Sequence, residues 1–320
     1  MDGSESLNSW DIPVRSGSGR GAILRFLEES VMLAGKNFQR VGIVAGVCAA
    51  TAALLVGTST GAVAANTGHW APANHTMVMR AAAPRAVPHA TLRYGGGPVE
   101  HNAKVYLVFW GSQWNSDANG VRTYLTNYFN GLGTSSDKWS HSILQYTDGS
   151  GHASVGNPVL GGTWVDSAHA APANASQSAI ASEANTGASH FGVSGPNVDV
   201  VVVSPTGTHP DGFPNSGFCA WHDWNGRVAY TNMPYVLDAG TSCGENSVRS
   251  KLDGFSIVVG HEYAEAATDP EPSSGWVASN GEENGDLCAW MNLTAISLPT
   301  GTFAVQPLWS NSAGKCVSSS

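Results

Sequence analysis

The sequence predicts an α/β or α+β fold built on a mixed β-sheet with packed helices, and three segments carry that expectation. "KVYLVFWG" (104–111) and "NVDVVVVSP" (197–205) are runs of β-branched and aromatic residues closed by Gly or Pro, the pattern of strands buried on both faces. "KLDGFSIVVGHEYAEAAT" (251–268) has the length of a helix instead, and Pro270 stands just past its end. Strands and helices alternate along the chain, which favours layers of helix packed on a sheet.

The remaining elements follow in order. "ANGVRTYLTNYFNGL" (118–132) puts Val121, Leu125, Tyr128, Phe129 and Leu132 at helical spacing. "SHSILQYT" (140–147) reads as a strand. "ANASQSAIASEANTG" (173–187) reads as an Ala-rich helix capped by Asn174 and ended by Gly187. "RVAYTNMPY" (227–235) is expected as a strand beside 197–205, and "TFAVQPLWS" with "GKCVS" as a closing pair.

The N-terminus is expected to lie outside this domain. "VGIVAGVCAATAALLV" (41–56) is an uncharged apolar run preceded by Lys36 and Arg40 and followed by Ala62-Val63-Ala64. Basic flank, apolar segment and small-residue site make a secretory signal, so residues 1–64 are read as a signal peptide with a long leader, and Met32 as a second candidate start. Sixteen residues are short for a membrane span, so no stable span is expected after cleavage; an uncleaved anchor is the alternative. Residues 65–90, rich in Ala and Pro, are read as a linker or pro-region, and 91–320 as one globular domain.

Export agrees with cysteine usage. Cys219, Cys243, Cys288 and Cys316 remain after the leader, an even number suited to an oxidising compartment. Of three pairings, Cys219–Cys243 with Cys288–Cys316 closes the shortest loops. A Cys₄ zinc site is disfavoured because no C-x₂-C spacing occurs.

Charge is scarce, and its placement is uneven. The leader holds five of the 15 basic and five of the 24 acidic residues, which leaves 10 against 19. No basic stripe is present, so nucleic acid is not expected as a partner. Seven of those 19 acids fall between 262 and 286, while no Lys or Arg occurs from 252 to 314. Like charges without a basic partner raise carboxylate pKa values and oppose folding. A divalent cation would relieve that cost.

"GHEYAEAATDP" (260–270) gives the cation a geometry. His261 and Glu265 are four apart, one helical turn, so they share a face, with Glu262 beside them. This is the zincin H-E-x-x-H arrangement with Glu in the second ligand position, in which the Glu at i+1 is the general base. Glu262 is therefore the candidate base, and His261 and Glu265 are candidate zinc ligands. Glu283 or Asp286, in "SNGEENGDLCAW", would supply a third ligand. His222, in "GFCAWHDW", is a further ligand candidate or a catalytic group that stabilises the transition state. Asp269, Glu271 and Glu282 form a candidate second site of calcium type, calcium preferring oxygen donors. Ser242, in "AGTSCG", lacks the G-x-S-x-G spacing of a nucleophilic serine.

Several segments resemble one family. "YGGGPVEHNAKVYLVFWG", "GFCAWH", "GHEYAEAATDP" and "ENGDLC" are similar, in order over about residues 94–288, to segments of the phosphate-induced/EXORDIUM proteins of plant cell walls and their bacterial secreted relatives. The stretch 270–282 is shorter than in that family and lacks its "NAWY". The resemblance implies an extracellular protein whose biochemical activity is not well defined. Two functions are therefore expected. One is a secreted zinc-dependent hydrolase, most simply a peptidase acting on polypeptide. The other is a non-catalytic cell-wall module with a structural metal, whose Trp110, Trp114, Trp221 and Trp224 would meet a glycan or protein partner.

Overall fold

A computed structural model of the chain describes residues 75–82 and 91–319. The expected signal peptide and most of the expected linker lie outside the described residues. Six strands form the main sheet: β1 (Thr76–Val78), β2 (His101–Trp110), β3 (Ser154–Asp166), β4 (Val198–Val203), β5 (Phe218–Trp224) and β6 (Ala229–Met233). Their spatial order is β1-β5-β6-β4-β2-β3. β3, β2, β4 and β6 run parallel, whereas β5 is antiparallel to β6 and β1 is antiparallel to β5. The sheet is mixed, as expected, and its antiparallel margin carries the site described below.

Among the described residues, three α-helices pack on the sheet: α1 (Val121–Gly131), α2 (Gln177–Phe191) and α3 (Asp253–Thr268). Strand alternation sorts them. Phe109 of β2 lines a cleft with Arg122, Thr123 and Thr126 of α1, while Val108 meets α2 at Gly187 from the opposite face. α3 touches α1 and packs on β5, β6 and β1. Its sixteen residues are all buried, including its polar ones. A helix surrounded on every side cannot show the apolar stripe of a surface helix. The carboxylate of Asp253 starts it by accepting from the amides of Val248, Arg249 and Ser250 at 2.7, 2.6 and 3.0 Å.

Both disulfides join sequence neighbours, Cys219 to Cys243 and Cys288 to Cys316. The closing strands divide at Gln306-Pro307. Gly301–Val305 pairs with Thr294–Leu298, and Leu308–Ser310 pairs with Lys315–Val317. None of the described helices is long and apolar enough to cross a membrane.

Four expectations need correction. Residues 140–145 form a 3₁₀ helix, not a strand. Buried Asp137 accepts from the amides of Trp139 and Ser140 and from the Ser140 hydroxyl, and these local bonds outcompete the strand pattern. α2 is capped by Ser176, whose hydroxyl accepts from the Ala179 amide at 3.2 Å, and it continues to Phe191 with left-handed Gly192 at its end. Gly187 is therefore interior, kept small by contact with the sheet. Residues 65–90 are not wholly a linker, because Thr76–Val78 forms β1. Finally, Trp110, Trp114 and Trp221 are buried in the core and offer no aromatic platform, with Trp114 and Trp221 only 2% and 1% exposed.

Gly187 supplies a test of the helix–sheet contact. A Cβ there would stand 2.4 Å from Val108 Cγ2, on a stiff β-branched side chain in the middle of the sheet. Ala is the better helix former by about 1 kcal/mol, but overpacking of this kind costs about 1–3 kcal/mol. Gly187→Ala is expected to lower stability despite its propensity gain. Urea unfolding of the two forms measures the sign.

Candidate metal centre

The site lies where α3 crosses the antiparallel strand β5. His261, Glu262 and Glu265 project from α3, His222 from the middle of β5, and Glu283 and Asp286 from the loop that follows α3. Three hydrogen bonds hold that loop, two of them to the helix. Asn284 donates to the Ala264 carbonyl and to the Thr268 hydroxyl, both at 2.7 Å, and the Gln306 amide holds the Gly285 carbonyl at 2.8 Å. Gly285 must be glycine, since a Cβ there would lie 2.8 Å from Glu265 Oε1 and 2.9 Å from His261 Nδ1.

Glu265 occupies the middle. Its Oε1 stands 2.9 Å from His261 Nε2 and accepts the Asp286 amide at 2.9 Å, while its Oε2 faces His222 Nδ1 at 3.5 Å. Asp286 Oδ1 lies 3.5 Å from His261 Nε2. On the β5 side, His222 Nδ1 holds Glu262 Oε2 at 3.1 Å, and its Nε2 stands 3.7 Å from Glu283 Oε2. Three overlapping groups thus have ligand-type atoms within 4.8 Å of one another: His261-Glu265-Asp286, His222-Glu262-Glu265 and His75-His222-Glu283.

Burial makes this arrangement costly. His222, His261, Glu262, Glu265 and Glu283 have no exposed surface. Among the described residues, both nitrogens of His261, Nε2 of His222, Oε2 of Glu265 and Oε1 of Glu283 find no partner with hydrogen-bond geometry, although His261 Nε2 keeps its 2.9 Å ion-pair contact with Glu265. Buried polar atoms are nearly always satisfied, so five orphans in one place point to a missing partner. They are nitrogen and carboxylate donors, the types that suit zinc, and His261, Glu265 and Asp286 form one grouping that could hold it. An all-oxygen calcium site fits less well, because histidine is at its heart.

The ionisation states agree. Burial pushes Glu265 up to about 7, with the Asp286 charge adding and His261 opposing. Burial, then the charges of Glu265 and Asp269, hold Glu283 well above the carboxylate range. For His222 burial acts downward, but the bond to Glu262 and the surrounding acids raise it to about 9. For His261 burial again acts downward, but Glu265, Asp286 and Glu262 together raise it well above the usual histidine range.

Every expected site residue except three falls within this cluster. Among the described residues, no ligand grouping contains Asp269, Glu271 or Glu282, so the expected second cation site does not assemble. Asp269 is occupied by the amides of Ser273, Ser274 and Gly275, at 2.7, 3.1 and 2.6 Å, and shapes the turn after α3. No hydrogen bond joins Ser242 to a histidine among the described residues. Sequence reasoning missed His75, whose Nδ1 lies 2.8 Å from Glu283 Oε2. It sits in an Ala/Pro-rich stretch that carries no motif. Burial and the neighbouring His222 lower His75 to about 3.

Comparison with models of protein families, with curated proteins and with solved structures finds no match to this chain.

These shifts fix how stability responds to pH without a cation. Between pH 6.5 and 9 the folded chain keeps a proton on His222 that the unfolded chain releases, and Glu265 acts in the same direction up to about 7. The folded state binds more protons, so stability falls as pH rises through this window. Thermal melts of the chelator-treated chain should show Tm dropping from pH 6.5 to 9. Added zinc, which replaces protons as the counter-charge, should flatten the slope.

Proposed function

We propose that this chain is a secreted zinc-dependent hydrolase that acts on polypeptide, an extracellular protein similar to the EXORDIUM group. The observation that carries the reading is the convergence of His261, Glu265 and Asp286 beside a second pair, Glu262 and His222, with orphaned donor atoms between them. The two disulfides fit an oxidising compartment.

A zinc ion bound there would supply Lewis-acid polarisation and a nucleophile at neutral pH. The chain's own groups do the rest. Glu262 is the base: one oxygen rests on His222 Nδ1 at 3.1 Å, and the other accepts the Met77 amide at 3.2 Å. It receives the proton of the attacking water and delivers it to the leaving amine. His222, protonated below about 9, orients Glu262, and its Nε2, which makes no hydrogen bond and stands 3.7 Å from Glu283 Oε2, is the donor that would meet developing negative charge. Glu265 keeps His261 and the Asp286 loop in register with α3.

One observation favours a second reading. Burial of five of the six groups is also what a metal staple between helix and loop requires, which is the non-catalytic extracellular module. Glu262→Gln separates the two. As a base, Glu262 is worth about 10²–10⁴-fold in rate, so the variant should lose casein hydrolysis to that extent while retaining bound zinc by elemental analysis. Equal turnover by both forms removes the catalytic role. Loss of Tm on chelation with no turnover in either form, whether intact or with the segment that carries β1 released by cleavage, identifies the staple.

A further inference from the structure

The cluster has no exposed surface on five of its six groups, so a substrate reaches Glu262 only if part of the cover leaves. Two parts are fixed. The 283–286 loop is held by Asn284 and Gln306 and is followed by the Cys288–Cys316 bond. β5 is held by the Cys219–Cys243 bond and by β6. The third part is β1, which is three residues long, lies at the margin of the sheet and contains no cysteine.

β1 makes the contacts of a bound peptide. Its backbone pairs antiparallel with β5, Thr76 opposite Trp221, Met77 opposite Ala220 and Val78 opposite Phe218. The His222 amide donates to the His75 carbonyl at 3.2 Å. The Met77 amide donates to Glu262 Oε1, Trp290 Nε1 donates to the Val78 carbonyl at 2.7 Å, and the Met77 side chain is buried in the core. The His75 ring engages Glu283. Strand addition to an exposed sheet edge is a general mode of peptide recognition, with affinity from the main chain and selectivity from alternate side chains. Here the edge is already filled by the chain itself, and one of its amides occupies the proposed base.

We infer that His75–Val78 is an internal occupant of the substrate groove. Once it is lifted, the outer edge of β5 receives an extended polypeptide, antiparallel, with an aliphatic side chain in the place of Met77 and its backbone against Glu262. This rests on the hydrolase reading for its chemistry but not for its geometry. It also assigns the segment an inhibitory role: Glu262 Oε1 and Glu283 Oε2 regain free lone pairs only when β1 departs.

The test keeps both pieces of the chain. In the full chain, the recognition sequence of a site-specific protease replaces residues 84–89, and the folded protein is cut there. A fluorescent peptide, NHTMVMRA (residues 74–81), is then titrated by anisotropy against cut and uncut protein, beside a peptide carrying Met77→Asp. A tethered competitor acts at an effective concentration of order millimolar, so cutting should tighten apparent binding by about tenfold or more. The Asp peptide should not bind. The uncut variant Met77→Asp, which buries an unpaired carboxylate in the core place of the Met77 side chain, should bind the parent peptide without cutting and provides an arm that does not depend on the engineered site. Equal binding before and after cutting, or indifference to Met77→Asp in the peptide, overturns the inference. Casein turnover keeps the two readings apart. Peptide exchange without hydrolysis leaves the groove and removes the hydrolase; hydrolysis unchanged by cutting leaves the hydrolase and removes the inhibitory segment.

Discussion

The structure turns on the burial of carboxylates without a basic partner. Glu262, Glu265 and Glu283 lie out of contact with water at the junction of α3 and β5, and among the described residues no Lys or Arg pairs with them. Ionised carboxylates do not tolerate such surroundings unless they are protonated or paired. Two histidines provide part of the compensation, and their own raised pKa values record the strength of the demand. They leave donor atoms over. A cation both neutralises the acids and satisfies the orphaned atoms, so the same deficit that weakens the metal-free chain would favour occupancy of the site.

The scaffold concentrates its rigidity around this junction. Cys219 precedes His222 by three residues on β5, and Cys288 follows Asp286 by two in the loop, so each disulfide tethers a segment that carries a site residue. α3 is enclosed by α1, β5, β6 and the Gly301–Val305 strand. At Gly260 its approach to α1 is so close that a Cβ would stand 2.4 Å from the Tyr128 hydroxyl. Functional groups need supporting elements that cannot drift, because an ångström of play forfeits the geometry.

The sheet's interior and α3 were legible because their signals are compositional. β2 and β4 each carry an apolar run, Val105–Trp110 and Val200–Val203, and the H-E-x-x-E spacing places His261 and Glu265 on one turn wherever the helix lies. β3 was not legible: "SVGNPVLGGTWVD" is interrupted by Pro158 and three glycines, which an edge strand tolerates and a central one would not. The Asp137 turn looked like a strand because the bonds that make it come from a residue three positions upstream. Asp269 looked like a ligand because sequence counts charges without showing which backbone amides already hold them. His75 left no trace, since its role depends on pairing between segments about 145 residues apart.

That last miss bears on the choice between a catalytic site and a staple. A structural metal is best enclosed by elements fixed for other reasons, and here the 283–286 loop and β5 are of that kind. Glu262 is treated differently. One of its oxygens is held by His222 on the rigid strand, while the other is held by a main-chain amide at the sheet's margin. A group needed only for support gains nothing from a partner that the disulfides leave untethered. A base kept idle until its substrate's backbone replaces that amide gains a great deal. The division of Glu262 between a fixed partner and a replaceable one is therefore a stronger argument for chemistry at this site than the number of its acids.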